Sequence, residues 1–200
     1  MRKIVYLISP NKITKKFYVD LDKVLTNGNT AFFQLRLKKI TKNKISKIAK
    51  KIKKITQKHK VKFIVNDDYS LALKLKADGC HMGQLDGSFE LARKKLRKRI
   101  LGITCHNSKA LADEALKSKP DYIAFGSFYK SKLKPNATMA KKSILKWAKN
   151  YLKKKIVAIG GIDNKNYKIM LKSGANYIAI SSYIWDNPKL NPEIAIKKFK

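Results

Sequence analysis

Short apolar runs alternate along this chain with longer segments of helical period. The runs are rich in β-branched and aromatic residues and are nearly continuous in their hydrophobicity, which is typical of strands buried on both faces. In the segments between them, apolar residues recur on one side, as they do from Ile45 to Ile55. Asn43, Ser88 and Ser108 are expected to begin helices. The eight runs span residues 4–8, 31–35, 61–65, 79–82, 100–104, 122–125, 156–159 and 177–180.

Eight strands interleaved with helices predict a parallel sheet whose outer face is covered by the helices. Eight such repeats fit closure into a (β/α)8 TIM barrel, and we expect residues 1–200 to form a single α/β domain of this kind. An open doubly wound sheet is the alternative. It is disfavoured because no G-x-G-x-x-G pattern follows the first strand.

The charge of the chain is strongly basic, with 47 Lys and Arg residues against 13 Asp and Glu and a formal net charge of +34. The lysines recur on every expected helix and do not form one stripe, which is typical of solvated surface. We therefore expect no specific nucleic-acid partner, although polyanions would adhere at low salt. No apolar run is long enough for a membrane span and no signal peptide begins the chain, so a cytoplasmic protein is expected. A homo-oligomer is left open.

The Cys80-His81 and Cys105-His106 pairs invite comparison with zinc sites. Adjacent residues on a strand point to opposite faces, so neither pair can readily present both side chains to one ion. The two cysteines are expected to be reduced thiols. For His106 a local packing or hydrogen-bonding role is expected ahead of acid/base work.

Two aspartates nineteen residues apart, Asp67 and Asp86, each follow a short apolar run that predicts a buried strand. Carboxylates just past the ends of successive parallel strands converge at one rim of a sheet, where hard oxygen ligands hold Mg²⁺ against phosphate oxygens. A loop carboxylate or a helix cap is the simpler interpretation, and Asp68 in particular is expected to cap the helix that begins near Tyr69. The adjacency of the two loops favours Mg²⁺.

Other polar residues fall at the same expected rim. If the second strand continues, alternation places Gln34, Arg36 and Lys38 on one side, facing the barrel mouth. Gly160 and Gly161 end the seventh strand; alone they predict only a tight turn. With Ser181 and Ser182 after the eighth strand they match the usual phosphate site of this fold. The remaining rim residues are Asn66, Gln84, Thr104 and the hydroxyl-rich, basic loop over residues 126–134.

Taken in order, these segments resemble the thiamine phosphate synthase family across nearly the whole chain. The stretches that carry the resemblance are Gln-Leu-Arg-Leu-Lys at 34–38, Val-Asn-Asp-Asp at 65–68, Ala-Asp-Gly-Cys-His-Met-Gly-Gln-Leu-Asp at 77–86, Asp-Tyr-Ile-Ala-Phe-Gly at 121–126 and Ala-Ile-Gly-Gly-Ile at 158–162. The resemblance implies a (β/α)8 barrel that joins hydroxymethylpyrimidine diphosphate to a thiazole phosphate, releasing pyrophosphate and forming thiamine phosphate.

The resemblance also implies roles for individual residues. Asp67 and Asp86 would hold Mg²⁺, and Arg36, Lys38, Thr104 and Lys134 would act on the reacting groups. The residues that would bind the two phosphorylated substrates are Gln34, Leu35, Arg36, Leu37, Lys38, Asn66, Thr104, Ser131, Lys132, Leu133, Lys134, Gly161, Ser181 and Ser182. No protein nucleophile is needed, which agrees with the lack of a Ser/His/Asp or Cys/His triad in the sequence.

Two departures from the family pattern fall in the loop after the sixth strand. Leu133 replaces a second threonine, and Ser127 and Lys130 replace prolines, so a weaker thiazole contact is expected. These departures leave two alternatives: a thiazole tautomerase with the same barrel, or a basic polyanion-binding barrel without catalysis. Both metal aspartates are present, which favours the synthase, since a tautomerase expels no pyrophosphate.

Overall fold

The computed structural model describes residues 3–38, 40–130 and 139–200. Its eight strands are all parallel, each pairs with the next, and β8 pairs with β1, so the sheet closes into a barrel. The predicted (β/α)8 barrel is therefore confirmed. The strands are β1 (Val5–Ile8), β2 (Thr30–Leu35), β3 (Lys62–Asn66), β4 (Gly79–Met82), β5 (Ile100–Thr104), β6 (Tyr122–Phe125), β7 (Lys155–Ile159) and β8 (Tyr177–Ile180).

Helices follow the strands around the outside of the barrel. Ser88 and Ser108 cap helices as expected, accepting hydrogen bonds from the Leu91 and Leu111 N–H groups. The expectation for Asn43 was wrong: the extended backbone of Thr41 precedes the helix, which leaves Asn43 inside it. The helices are α1 (Lys15–Thr26), α2 (Lys42–Lys58), α3 (Tyr69–Lys74), α4 (Phe89–Leu96), α5 (Lys109–Lys117), α6 (Ser143–Tyr151), α7 (Tyr167–Lys172), α8 (Ser182–Trp185) and α9 (Pro192–Ile196).

The hydrophobic core has two parts because successive strand residues face opposite sides of the sheet. The larger part lies between the barrel and its helices and contains Cys80 and Cys105, both buried free thiols. The smaller part fills the barrel interior, where Tyr6 and Tyr122 are fully buried. Tyr122 fits there because its neighbour on β5 is Gly102, where a Cβ would lie only 1.9 Å from the Tyr122 ring.

A repeated polar contact stabilises the end of the barrel opposite the expected site. The residue before each of three even-numbered strands, Asp78, Asp121 or Asn176, accepts a hydrogen bond from a backbone N–H of the preceding odd-numbered strand at 2.8–2.9 Å. These bonds satisfy backbone N–H groups near the start of the odd-numbered strands, on the side where the next strand has not yet begun. At this end of the barrel, the three polar side chains therefore stabilise the sheet. No helix in the described ranges is long and apolar enough to cross a membrane.

Candidate active site

Asp67 and Asp86 meet at the carboxyl end of the barrel, as the sequence predicts. Asp67 directly follows β3, Asp86 lies in the loop after β4, and the two carboxyl groups are close enough for Asp86 to raise the pKa of Asp67. Asp86 Oδ2 also accepts the Gly83 N–H at 2.7 Å, which folds its loop back toward β4. Two carboxyl groups from the loops after β3 and β4 therefore lie close together at the mouth of the barrel.

The backbone at Asp67 turns sharply so that its side chain reaches this position. Its φ of +66° lies in the left-handed region, which Asp tolerates better than most residues. The Asp67 N–H donates to the His81 carbonyl at 2.7 Å, extending the contact between β3 and β4. The next residue, Asp68, accepts the Leu71 N–H at 2.8 Å and caps α3, as predicted. Of the two adjacent aspartates, one begins a helix and the other faces the mouth.

Its surroundings make Asp67 a weaker acid than an ordinary aspartate. Partial burial, reinforced by the neighbouring Asp86 carboxyl, raises the pKa of Asp67 to about 6. Arg36 and Lys38 are close enough to oppose this rise. The site thus combines a crowded carboxyl pair with two cations at its edge.

This donor set fits Mg²⁺, which favours carboxylate oxygens and is commonly held by one or two carboxylates with the substrate's phosphates. A cation held by the two carboxyl groups would offset the repulsion from Asp86, which together with burial raises the pKa of Asp67. Among the described residues no cluster of three or more His, Cys, Asp or Glu side chains is arranged to hold a metal. The carboxyl pair would therefore share the ion with oxygens of a bound phosphate group.

The segment after β2 departs from the expected alternation because the strand ends at Leu35. Gln34 lies inside the barrel and is buried, whereas Leu35 packs in the outer core beneath the helices. Leu37 also packs against that core, so neither leucine side chain belongs to the mouth. Arg36 and Lys38 follow in the loop, where both act on Asp67. Only the two cations of this group join the aspartates.

Ser9 at the end of β1 holds Arg36 in place, a role that the sequence does not reveal. Its hydroxyl accepts the Arg36 N–H at 3.0 Å and donates to the Arg36 carbonyl at 3.2 Å, and Ser9 is almost fully buried. Its carbonyl accepts the Ser181 hydroxyl at 3.3 Å. Ser9 therefore links the cationic loop after β2 to the serines after β8.

Replacing Ser9 with Ala should displace Arg36, because two partly buried backbone groups would lose their partner at a cost of about 1 kcal/mol. We expect roughly tenfold weaker binding of pyrophosphate with Mg²⁺, measured by calorimetry, together with a lower Tm. Ser9→Thr, which keeps the hydroxyl, should largely restore binding. Ser118→Ala is the control, since it removes a buried, hydrogen-bonded hydroxyl at the carboxyl end of α5, at the opposite end of the barrel from the mouth, and should lower only Tm. Equal binding by Ser9→Ala and wild type would contradict the role of Ser9.

A row of hydrogen-bonded side chains crosses the barrel interior toward the mouth. Gln34 Nε2 donates to the Tyr6 hydroxyl at 3.1 Å, which lies 2.6 Å from the Tyr122 hydroxyl. Tyr122 contacts His81 Nδ1 at 2.9 Å, and His81 Nε2 contacts Thr104 Oγ1 at 2.7 Å. We call these five residues the interior chain. Thr104, at the end of β5, is the member that reaches the half-exposed rim.

Burial sets the protonation states in the interior chain. Burial lowers the pKa of His81 to about 4 and raises the pKa values of both tyrosines well above their ordinary range, so all three are neutral at pH 7. His81 faces this interior, whereas Cys80 packs in the outer core, as their adjacency on a strand predicts. The strand pattern predicts Tyr6, Tyr122 and His81 only as residues of the hydrophobic core. It gives no sign that their side chains form a hydrogen-bonded row that reaches the mouth.

The glycine pair after β7 makes room for the chain's own loop. A Cβ on Gly160 would lie 1.9 Å from Ser127 Oγ, and one on Gly161 would lie 2.6 Å from Tyr129 Cβ. The Tyr129 N–H donates to the Gly160 carbonyl at 3.0 Å, which seats the loop after β6 on the end of β7. Gly161 was predicted to contact phosphate, and the structure shows that it also makes room for the loop after β6.

The remaining predicted residues divide into two sets. Asn66 is half-buried at the end of β3, and Ser181 and Ser182 are half-buried at the start of α8, with the Ser181 hydroxyl bonded to Ser9. Gln84 Nε2 donates to the Thr104 carbonyl at 2.5 Å and so ties the loop after β4 to β5. Ser131, Lys132, Leu133 and Lys134 lie outside the described residues.

Comparisons with known proteins show the family and support the barrel fold. A family model described as thiamine monophosphate synthase matches residues 5–184. The thiamine-phosphate synthase of Pelagibacter ubique (strain HTCC1062) is 53% identical over 200 residues, covering 100% of this chain and 97% of that protein. That of Erythrobacter litoralis (strain HTCC2594) is 39% identical over 186 residues, covering 90% and 87%. The solved thiamine phosphate pyrophosphorylase of Pyrococcus furiosus superimposes with a TM-score of 0.87 at 26% identity, covering 98% and 93%.

Proposed function

Because the chain belongs to the thiamine monophosphate synthase family and is a transferase of that type, we propose that it joins hydroxymethylpyrimidine diphosphate to a thiazole phosphate, releasing pyrophosphate. The observation that carries this proposal is the Asp67 and Asp86 pair, flanked by Arg36 and Lys38 at the carboxyl end of the barrel. Carboxylates alone would repel a diphosphate. A carboxyl pair bordered by cations suits a diphosphate that brings a metal ion with it.

The reaction proposed is a substitution in which pyrophosphate leaves before the thiazole nitrogen adds. Departure of pyrophosphate places negative charge on its oxygens and positive charge on the pyrimidine methylene. Arg36 and Lys38 would stabilise the departing oxygens through fixed charges that are already in position. The thiazole nitrogen then forms the new C–N bond with its own lone pair, so no protein nucleophile takes part.

Asp67 and Asp86 would hold the Mg²⁺ ion that this reaction uses. When bound, the ion supplies positive charge to the phosphate oxygens and neutralises charge as they depart. The two residues also orient what they hold, since Asp86 is fixed by the Gly83 N–H and Asp67 by its bond to the His81 carbonyl. Lys134, which the family resemblance places beside the diphosphate, would add a third cation.

The thiazole phosphate would bind on the opposite side of the mouth. Gly161 and the Ser181–Ser182 pair stand at the ends of β7 and β8, where barrels of this fold commonly hold phosphate. Ser9 connects this side to Arg36 through its two hydrogen bonds and its carbonyl. The two substrates would therefore be held by one continuous rim.

The direct test is incubation of the pure protein with both substrates and Mg²⁺. We expect thiamine phosphate and pyrophosphate in equal amounts, and loss of both when EDTA removes the metal. Arg36→Met should lower turnover about a hundredfold, as loss of one donor to developing charge commonly does. Arg97→Met, at an exposed arginine after α4, is the matched control and should leave turnover unchanged.

Three outcomes would contradict the proposal. Failure of the pure protein to form thiamine phosphate with both substrates and Mg²⁺ would exclude the synthase reaction. Conversion of the thiazole phosphate alone, without the pyrimidine and without release of pyrophosphate, would indicate the tautomerase. Retention on a polyanion at high salt by Asp67→Ala, with no turnover by the wild type, would indicate the basic binding barrel.

A further inference from the structure

The interior chain joins one side of the barrel to the other through five polar side chains in an otherwise apolar interior. We propose that Tyr122 is a positioning residue that acts through His81 and makes the Thr104 hydroxyl a hydrogen-bond donor to an oxygen of the leaving diphosphate. This inference rests on the proposed function. It assigns Tyr122, a side chain within the barrel, a part in the reaction at the mouth.

The direction of the hydrogen bonds follows from the donors available at one end. Gln34 offers an N–H to the Tyr6 oxygen, so Tyr6 directs its own hydrogen to Tyr122. The Tyr122 oxygen has then accepted a bond and donates its hydrogen onward to His81 Nδ1. Each hydroxyl accepts a hydrogen bond from one neighbour and donates one to the next. The Gln34 N–H therefore sets the direction of all the hydrogen bonds in the interior chain.

The same direction determines which ring nitrogen of His81 carries hydrogen. Nδ1 accepts from Tyr122, so the neutral imidazole has its hydrogen on Nε2 and donates it to Thr104 Oγ1 at 2.7 Å. The stacking of His81 on Tyr122, with ring centroids 5.6 Å apart and planes at 10°, holds the imidazole in this orientation. Thr104 is thereby an acceptor from inside the barrel.

A hydroxyl that already accepts a strong hydrogen bond has its own hydrogen left to donate. Thr104 stands at the half-exposed end of β5, and its carbonyl is bound by Gln84 from the loop that carries Asp86. The expected acceptor is therefore a phosphate oxygen held beside Asp86. Such a bond strengthens as negative charge builds on that oxygen, and it needs no reorganisation because the interior chain sets it beforehand.

The space for Tyr122 is itself a requirement of this arrangement. Gly102, the residue beside Tyr122 on β5, has no side chain, and its missing Cβ is what allows the ring to lie across the interior between Tyr6 and His81. Loss of the Tyr122 hydroxyl alone would keep this packing. It would remove the donor that fixes the His81 hydrogen on Nε2, so the imidazole would populate both tautomers, and Thr104 would donate inward whenever the hydrogen is on Nδ1.

The first arm of the test reads the His81 tautomer without substrate. The chain has three histidines, His59, His81 and His106, so ¹⁵N-labelled imidazole signals are few enough to assign, with His81→Gln identifying its own. Wild type should show hydrogen on Nε2, and Tyr122→Phe should move part or all of it to Nδ1. Hydrogen on Nδ1 in the wild type, or an unchanged His81 signal in Tyr122→Phe, would overturn the inference.

The second arm measures whether Tyr122 acts through Thr104. Tyr122→Phe should lower kcat at least about tenfold through one misdirected hydrogen bond, with little change in KM for the thiazole phosphate. Thr104→Val, which removes the hydroxyl at nearly equal volume, should lower kcat by a similar or larger factor. In the double variant the effect of Tyr122→Phe should disappear, because its target is absent. Fully additive effects would overturn the inference.

Tyr167→Phe is the matched control. Tyr167 is also a buried tyrosine whose hydroxyl makes two hydrogen bonds, both to the Lys200 backbone, and its ring packs in the outer core and not in the barrel interior. It should lower Tm without lowering kcat. Equal kcat values for Tyr122→Phe and Tyr167→Phe, in a wild type that does turn over, would refute the inference alone. A wild type without turnover would refute the proposed function, and the imidazole signals would still decide the tautomer.

Discussion

Replacing Asp67 with Asn is expected to abolish most turnover while making the metal-free protein more stable. The variant loses one of the two carboxylates that would hold Mg²⁺, an ion worth several kcal/mol to the transition state. Because each 1.36 kcal/mol corresponds to a tenfold change in rate, we expect kcat to fall at least about a hundredfold. The loss of activity thus comes with no loss of fold.

The gain in stability follows from the crowding of the two carboxyl groups. Partial burial and the Asp86 carboxyl raise the pKa of Asp67 to about 6, above its ordinary value of 3.8. The folded protein therefore binds this proton more tightly than the unfolded chain, and its stability falls as pH rises from about 4 to about 6. Asparagine carries no charge. Since the site is half-exposed and screened, we expect a gain of only about 1 kcal/mol at pH 7, or roughly 2–4 °C in Tm.

Thermal unfolding without metal, from pH 4 to pH 8, checks this expectation. As pH rises from about 4 to about 6, the Tm of the wild type should fall relative to that of Asp67→Asn. Addition of Mg²⁺ at pH 7 should raise the Tm of the wild type again. Asp68→Asn is the matched control, because it removes a neighbouring carboxylate while asparagine keeps the helix cap. A metal-free Asp67→Asn protein less stable than wild type at pH 7 would contradict the account of the carboxyl pair.

Gly102→Ala is expected to be the most destabilising small substitution in the barrel interior. Its Cβ would lie 1.9 Å from Tyr122 Cζ and 2.3 Å from the Tyr122 hydroxyl oxygen, so the ring must move. Overpacking of this kind costs typically 1–3 kcal/mol, and here we expect about 3 kcal/mol because the ring is fully enclosed. That corresponds to roughly 6–12 °C in Tm. Activity should fall as well, since Tyr122 can no longer reach both Tyr6 and His81.

The control for Gly102→Ala is the same substitution in a Tyr122→Ala background, where the ring is absent. Tyr122→Ala is itself destabilising, because it leaves a cavity in the core. The added methyl should then find space, and Gly102→Ala should cost less than about 1 kcal/mol there. Differential scanning calorimetry of the four proteins gives both values. Equal costs in the two backgrounds would show that the clash with Tyr122 is not the cause.

Much of the fold follows from local patterns. The bounds expected for β4, β5, β6 and β8 agree with the structure, and in β6 and β8 a polar or glycine residue flanks the apolar run at each end. The other strands differ by a residue at one or both ends, where a polar residue such as Thr30 or Lys155 continues the ladder. The pattern of apolar residues does not predict that these polar residues belong to the strands, since the pairing of their backbone groups depends on the neighbouring strand.

Part of the site was also predictable, for a topological reason. In a parallel barrel every strand ends at the same rim, so Asp67 and Asp86 had to lie on neighbouring loops once their strands were assigned. Arg36 and Lys38 were placed near them on the assumption that β2 continues. The structure brings both cations to Asp67 although β2 ends at Leu35. The proximity was right, and the reason given for it was wrong.

The sequence by itself determined the order of the elements, the closure of the barrel and the rim on which the two aspartates stand, because periodicity and chain order are local properties. The tertiary structure alone decided the orientation of Arg36 by Ser9, 27 residues away, and the contact between Tyr6 and Tyr122, 116 residues apart. No repeating pattern in the sequence links the residues that such hydrogen bonds join. They form only when closure of the sheet brings distant strands within about 3 Å, the range of a hydrogen bond.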